Sequence, residues 1–286
     1  MGTTADVQLI ESRPPARVVV LVDASPDALH ALEAAAALAA QHQVPLLAVS
    51  VEEPERSRSS GYPFASEVGA VSGAIRPIDE AMLGRRRDSG PVSIRRLIDR
   101  TAGEMGVAWE MVFLQGRFVE QVLALAAPGD WLMLGRVGWS ARIGRRLGSS
   151  ALRLARRAHG AVQICSAAPS QARGRTAVLV EDADFAANLL GVAAARSRTA
   201  QRSLVVLLAP GAGEPDREQL ANAIEQRSGV ARIRALPSMG TGDLLRALAE
   251  EGAVELVVGR GGWLDSQAAD RLMTHWRMPV LVAPAS

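Results

Sequence analysis

The residues after the apolar segment WLML have the composition of an anion-binding turn. Residues 135–150 contain four glycines, four arginines and no carboxylate. Glycine lets the backbone pass close to a ligand, and the amide groups that begin a following helix direct partial positive charge at an anion. Gly135, Gly138, Gly148 and Ser149 therefore predict a cradle for phosphate groups.

Positive charge is concentrated around this cradle, although the net charge of the 286-residue chain is only +2. Seven arginines and no acid lie between Arg136 and Arg157, a local field that favours a phosphate-bearing partner. Arg142, Arg145 and Arg146 either reach inward as counter-charges or extend into solvent. The chain contains no lysine, which excludes a P-loop of the G-x-x-x-x-G-K-[ST] kind.

The elements that would position the cradle are strands alternating with helices. The β-branched run RVVVLV (17–22) is typical of a strand covered on both faces. A helix follows, with Ser25 as its N-cap and Pro26 at its first position. Further strands are predicted at 44–51, 107–114, 130–135 and 161–167, and further helices at 92–105, 118–127 and 149–158. This alternation predicts right-handed crossovers and a parallel sheet.

The same order of elements returns from residue 175, with strands predicted at 175–180, 203–210, 230–237, 253–259 and 279–284, and helices predicted at 184–198, 215–227, 242–251 and 266–275. VVVLVDAS matches TAVLVEDA, and WLMLGRVGW matches ELVVGRGGW, so the chain is an internal duplication. We predict an α/β protein of two tandem, open, parallel-sheet, Rossmann-like modules: an N-terminal module (1–169) and a C-terminal module (170–286) that begins with the linker SQARGR. The polar segment 52–91 predicts a long loop with room for one short helix.

The spacing Gly135-x2-Gly138-x9-Gly148-Ser149 resembles the nucleotide-binding signature of the universal stress protein family. The segments VVVLVDASPDALHALEAAAALA and LLAVSV also resemble that family, so the resemblance covers nearly the whole chain and is weaker only in 52–91. It implies a fold related to the adenine nucleotide alpha hydrolases. It also implies that the ligand is an adenine nucleotide, ATP or ADP with AMP as a further candidate, and that Mg²⁺ would accompany ATP.

The resemblance further implies which residues would hold the nucleotide. Asp23, with Ala24 and Ser25 in the same turn, would lie near the adenine and ribose, and the backbone of Val49 would read the adenine. The residues along the ribose and the phosphates would be Leu134, Gly135, Arg136, Gly138, Arg145, Gly148, Ser149 and Ser150. Taken singly, a Gly-x-x-Gly or an Asp after a strand is often only a turn.

The C-terminal module lacks this cradle. Six fewer residues separate Gly262 from Val280 than separate Gly138 from Val162, and no Gly-Ser precedes the following helix. Glu181 also replaces Asp23 at the strand end. We therefore predict one nucleotide per chain, and a structural role for the C-terminal module. The resemblance implies that the modules pair through their last strands as an intramolecular pseudo-dimer, and a homodimer of chains stays open.

Three functions stay open. The first is an ATP- or ADP-binding regulatory protein of the stress response, in which the nucleotide orders residues 136–148 and alters the surface offered to an unidentified protein partner. The second is a slow ATPase or self-phosphorylating protein, with Ser149 or Ser150 accepting the phosphoryl group. No general base or metal-binding acid pair stands out, so no catalytic or metal-ligating residue is assigned. The third is an interaction scaffold that binds no nucleotide.

The composition also limits the expected cellular location of the protein and its cysteine chemistry. No apolar stretch reaches the roughly 18 residues of a membrane span, and the first residues lack the basic-then-apolar pattern of a signal peptide. We therefore expect a cytoplasmic protein without a membrane partner, and nucleic acid is disfavoured as a partner. A single cysteine, Cys165, excludes a disulfide within the chain and a zinc site built from cysteines.

Overall fold

A computed structural model describes residues 14–23, 25–52, 66–68, 75–77, 80–136, 149–166, 174–181, 183–211 and 231–284. The chain divides into two compact units. The first unit spans 15–160 and 164–167, and the second spans 168–286 together with 161–163. Following the order of elements along the chain, the N-terminal module is taken to comprise the elements up to Cys165 and the C-terminal module those from Arg175, and the boundary between residues 169 and 170 stays a prediction.

The N-terminal module is built on a parallel sheet. Its described elements are β1 (Arg17–Leu21), α1 (Pro26–His42), β2 (Leu46–Glu52), β3 (Ser66–Val68), β4 (Ile75–Pro77), α2 (Glu80–Glu104), β5 (Trp109–Gln115), α3 (Phe118–Leu125), β6 (Asp130–Gly135), α4 (Ser149–Arg157) and β7 (Ala161–Cys165). The strand order is β7-β6-β1-β2-β5, and β1 pairs in parallel with both β2 and β6. Strands β3 and β4 form a separate antiparallel pair.

The C-terminal module repeats this plan. Its described elements are β8 (Arg175–Val180), α5 (Ala183–Thr199), β9 (Ser203–Leu208), β10 (Ala231–Ala235), α6 (Thr241–Glu250), β11 (Ala253–Gly259), a 3₁₀ turn (Gly262–Asp265), α7 (Gln267–His275) and β12 (Val280–Ala283). The order β12-β11-β8-β9-β10 is the counterpart of that in the first module. The predicted class, open parallel α/β, is confirmed. The helix predicted at 215–227 lies outside the described residues.

The core forms where apolar strands meet an alanine-rich helix. Val18 and Val20 of β1 are fully buried against Ala31, Ala35 and Ala39 of α1. Alanine lets helix and strand approach closely while favouring the helix. The side chain of Ser25 caps α1 by accepting a hydrogen bond from the Ala28 amide (3.2 Å). No helix among those described is long and apolar enough to cross a membrane.

Segment 52–91 contains more regular structure than the predicted long loop with one short helix, and its residues 53–65, 69–74 and 78–79 lie outside the described residues. The structure contains the β3–β4 pair, and α2 begins at Glu80 and continues for 25 residues. Gly84, Gly90 and Pro91 have poor helix propensity, so local sequence gave no sign of a helix start at residue 80. Tertiary contacts hold the end of α2, since Ile98 and Ala102 are fully buried in the core around α1.

A buried charged cluster distinguishes the C-terminal module. The Glu255 side chain is 1% exposed and contacts Arg196 (2.8 Å) and Arg202 (3.4 Å). Thr176 lies beside the same carboxylate at 3.5 Å. When the match of VVVLVDAS with TAVLVEDA is extended without a gap, Thr176, Arg196 and Arg202 correspond to Val18, Leu38 and Val44. In the match of WLMLGRVGW with ELVVGRGGW, Glu255 corresponds to Trp131. These four apolar residues pack in one core of the N-terminal module. At these four positions the C-terminal module therefore has charged and hydroxyl side chains, whereas the N-terminal module has apolar ones.

Candidate functional site

A crevice is expected where the strand order of the N-terminal module reverses. From β1 the chain proceeds to β2 and β5 on one side, and then to β6 and β7 on the other. In open parallel sheets the crevice at the carboxyl ends of the strands beside such a reversal is the usual ligand site. Asp23 follows β1 and Gly135 ends β6, and these two strands are paired neighbours. The fold therefore brings residues predicted from separate segments to one edge.

The turn after β1 is fixed by two local hydrogen bonds. The Asp23 carboxylate accepts one from the Ser25 amide (2.8 Å), and the Ser25 hydroxyl accepts the one from Ala28. Asp23 is exposed, whereas Ser25 is buried at 8% exposure. Ser25 therefore positions the start of α1, and Asp23 presents its side chain at the sheet edge.

Gly135 lies against the first turn of α1. A Cβ at this position would lie 2.8 Å from the Ala28 nitrogen and 2.8 Å from the Asp27 carbonyl carbon. Because backbone atoms cannot swing aside as a flexible side chain can, only glycine fits here without moving the helix. Gly135 therefore has a packing role that the sequence-based interpretation, close approach to a ligand, did not include.

Leu134 and Arg136 lie within the sheet layer. Leu134 is 4% exposed and Arg136 is 2% exposed. The Arg136 amide donates a hydrogen bond to the Cys165 carbonyl (2.8 Å), which extends the pairing between β6 and β7. The assignment of both residues to the ribose and α-phosphate stays a prediction.

The backbone of β2 offers Val51 at the crevice as well as Val49. The Val49 carbonyl already accepts a hydrogen bond from the Val22 amide (2.9 Å). Backbone groups of successive strand residues point to opposite sides, so Val51 also faces the β1 side, beyond the end of β1 at Leu21. In the C-terminal module the counterpart amide, that of Ala209, donates to the Val180 carbonyl (2.9 Å). That the Val51 backbone faces the β1 side follows from strand register, which the sequence alone does not reveal.

The phosphate end of the predicted site is only partly described. Ser149 and Ser150 are the first two residues of α4, and Ser150 is partly exposed. Ala24, Gly138, Arg145 and Gly148 lie outside the described residues. Within the part of the chain that is described, no three His, Cys, Asp or Glu side chains are grouped to hold a metal ion.

At the equivalent edge of the C-terminal module, a hydrogen bond joins the segment after β8 to the segment after β11. The Trp263 amide donates a hydrogen bond to a carboxylate oxygen of Glu181 (2.6 Å). A Cβ on Gly262, whose φ is +50°, would collide with the same carboxylate. Burial raises the pKa of Glu181, the hydrogen bond from Trp263 opposes that rise, and the charge of Asp265 adds to it.

The connection that replaces the cradle is short and internally bonded. Residues 260–266 join β11 to α7, six fewer than residues 136–148, which join β6 to α4. The Trp263 indole is 4% exposed and donates to the Met239 carbonyl (3.2 Å). The Ser266 hydroxyl accepts from the Ala269 amide (3.2 Å) and so caps α7. The sequence showed the missing residues but not the contact between Glu181 and Trp263; the adjacent glycines 261 and 262 were the available signal.

Comparisons with known proteins agree with this architecture. Residues 15–166 match the family model described as the universal stress protein family. A universal stress protein from Archaeoglobus fulgidus DSM 4304 has a similar solved structure, with 13% identity, TM-score 0.65 and coverage of 94% of this chain and 96% of that one. A functionally unknown protein from Pseudomonas aeruginosa PAO1 is similar at 16% identity and TM-score 0.60, covering 94% and 93%.

A third solved structure is that of a universal stress protein in complex with cAMP, 24% identical over 51% of this chain and 91% of that chain, with TM-score 0.33. A search of curated proteins found no match. At these identities the likeness to the first two solved structures shows the fold alone.

Proposed function

Because this chain belongs to the universal stress protein family, we propose that its N-terminal module binds one adenine nucleotide, ATP or ADP, at the carboxyl edge of its sheet. Some members of the family bind nucleotides, as the complex with cAMP illustrates. The C-terminal module keeps the fold without such a site. Occupancy of the first module would alter the surface offered to a protein partner in a stress response.

One observation carries the proposal: Asp23 and Gly135, which were chosen from separate segments, lie at the ends of the neighbouring strands β1 and β6, where the strand order reverses. Asp23 is exposed there and Gly135 contacts the first turn of α1. Ser149 begins α4 beyond the next connection, where helix amides favour phosphate oxygens. A nucleotide placed across this edge would meet a carboxylate at one end and amide donors at the other.

Each end of the proposed site supplies a different recognition chemistry. A carboxylate accepts hydrogen bonds, so Asp23 suits the ribose hydroxyl groups. The outward-facing backbone of Val51, or a second lone pair on the Val49 carbonyl, suits the donor and acceptor edge of adenine. The arginines of 136–146 suit the phosphates. Mg²⁺ would bridge the phosphate oxygens if ATP is the ligand.

Isothermal titration of the full chain with ATP, ADP and AMP tests the proposal. We expect saturable binding at one nucleotide per chain, and its loss in Gly148→Glu, because a carboxylate placed at the phosphates repels them. Gly103→Glu is the matched control: it adds the same side chain to α2 in the same module, where a Cβ meets no atom within 4 Å. It should bind like the wild-type protein.

Absence of saturable heat with all three nucleotides would contradict the proposal and favour an interaction scaffold. Equal binding by Gly148→Glu and Gly103→Glu would place the ligand elsewhere. Native mass spectrometry after gentle purification gives an independent ratio of bound nucleotide to chain, and a ratio of two would contradict the single site.

A second function is supported by the location of two hydroxyl groups. Ser149 and Ser150 open α4, so a phosphate bound at that helix start would lie near them. In self-phosphorylation one of the hydroxyl groups would take the γ-phosphoryl group and ADP would leave, and attack of water on that phosphoserine would complete slow ATP hydrolysis. Phosphate release and transfer of labelled phosphate from ATP to the chain measure these activities. If they are genuine, Ser149→Ala with Ser150→Ala abolishes the labelling while nucleotide binding persists.

A further inference from the structure

We propose that the Glu181 carboxylate is an internal anion that fills the crevice of the C-terminal module and excludes external anionic ligands from it. This inference concerns the strand reversal between β8 and β11 and stands whether or not the N-terminal module binds a nucleotide.

The contact crosses the crevice. Glu181 follows the end of β8, whereas Trp263 lies in the 3₁₀ turn after β11. The hydrogen bond of 2.6 Å between them joins the two segments that an external ligand would have to separate. Gly262 completes the fit, since any side chain there would overlap the carboxylate. A glycine in the left-handed region and an acid of the right length are thus matched to each other.

The acid of the other module is used differently. Asp23 is the counterpart of Glu181, and its side chain is one methylene group shorter. Its carboxylate accepts a hydrogen bond from the Ser25 amide in the same turn. Alanine, Ala183, replaces that serine in the C-terminal module. Glu181 therefore lacks the serine-capped turn that accompanies Asp23, and its extra reach carries the carboxylate to the opposite connection.

Charge then acts against an incoming anion. Glu181 is partly buried, and Asp265 adds a second negative charge close to it. Burial is the main cause of the raised pKa of Glu181. Removing this carboxylate from water therefore costs free energy, and the hydrogen bond from the Trp263 amide offsets only part of that cost. An external phosphate or carboxylate would have to displace Glu181 from the Trp263 amide and also approach Asp265.

Hydrogen exchange at the Trp263 amide tests the proposal on the full chain. Glu181→Ala removes –CH₂–COO⁻, which acetate restores atom for atom. We expect exchange of the Trp263 amide proton to rise roughly tenfold or more in the variant, as for loss of a hydrogen bond to a charged group. Acetate at constant ionic strength should slow it again, whereas acetamide should not. In the wild-type protein, exchange of the Trp263 amide proton should not change with either acetate or acetamide.

The matched control is Glu33→Ala, which removes an exposed glutamate from α1 of the other module. It should leave the Trp263 amide unchanged. Unchanged exchange in Glu181→Ala, or faster exchange that acetate does not slow, would overturn the proposal. Should that variant fail to fold, Glu181→Gln decides: faster exchange than wild type is expected, and equal exchange overturns it.

These outcomes are independent of nucleotide titration. Loss of ATP binding in the wild-type chain would contradict the proposed function and leave the Trp263 result standing. Conversely, a Trp263 amide indifferent to Glu181 would leave the N-terminal site untouched.

Discussion

Gly135 and Gly259 end equivalent strands, yet their surroundings differ. A Cβ on Gly135 would meet the backbone of α1 at 2.8 Å, whereas the nearest atom to one on Gly259 is a Leu189 methyl at 4.0 Å. The first glycine is required by helix packing and the second is not. A glycine that resembles a ligand-binding residue in sequence can therefore be fixed by a neighbouring helix.

Gly135→Ala should lower the free energy of unfolding by about 1–3 kcal/mol, because the methyl group forces α1 away from β6. Gly259→Ala is the internal control and should change it by less than about 1 kcal/mol, since its methyl group meets only ordinary contacts. Urea unfolding followed by circular dichroism measures both. Equal destabilisation of the two variants would contradict the packing argument.

The charged cluster of the C-terminal module belongs to the scale of elements, because it joins β8, α5, β11 and the residue before β9. Buried ion pairs recover little more than the cost of removing their charges from water. The N-terminal module shows that the same framework accepts an apolar solution at all four positions.

Glu255→Ala should cost about 3–5 kcal/mol of unfolding free energy, because it removes the carboxylate that Arg196 and Arg202 contact inside the module. Arg246→Ala is the control, since its exposed pair with Asp243 (3.3 Å) contributes under about 1 kcal/mol. Combining Thr176→Val, Arg196→Leu, Arg202→Val and Glu255→Trp copies the N-terminal module and should restore wild-type stability or exceed it. A combined variant no better than Glu255→Ala would refute the equivalence of the two cores.

Most elements could be predicted from the sequence, because buried strands are continuous apolar runs between turns. The strands 130–135, 175–180 and 253–259 have the bounds expected for them. Segment 52–91 could not be read in this way, since Gly84, Gly90 and Pro91 have poor helix propensity although α2 begins at Glu80.

In the candidate site, too, features that depend on local sequence could be predicted and those that depend on tertiary structure could not. The location of Asp23 and Gly135 at one edge of the sheet could be predicted from sequence, because both come at the ends of apolar strands that pair in parallel; their part in ligand binding stays a prediction. Val51 and the Glu181–Trp263 contact were not found, because the first depends on strand register and the second on reach across a crevice.

At the scale of the whole molecule, the proposed single nucleotide site predicts that ligand protection is confined to one module. ATP at 100 times its dissociation constant should stabilise the N-terminal module by about 2.7 kcal/mol. Hydrogen exchange should therefore slow in β1, β2 and β6 and stay constant in β8, β9 and β11. Matching protection in both sets of strands would indicate either a second site or strong coupling between the modules. The pseudo-dimer itself stays a prediction.

Gln43 and Gln201 both follow a seventeen-residue helix, and both adopt the left-handed conformation, with φ of 54° and 51°. Each must bear the same backbone strain at the same point of its repeat. Gln43 and Gln201 belong to one polypeptide, so temperature, buffer and protein concentration are the same for both. Any difference in how fast their neighbouring amides open would therefore come from the two local environments and not from the solution conditions.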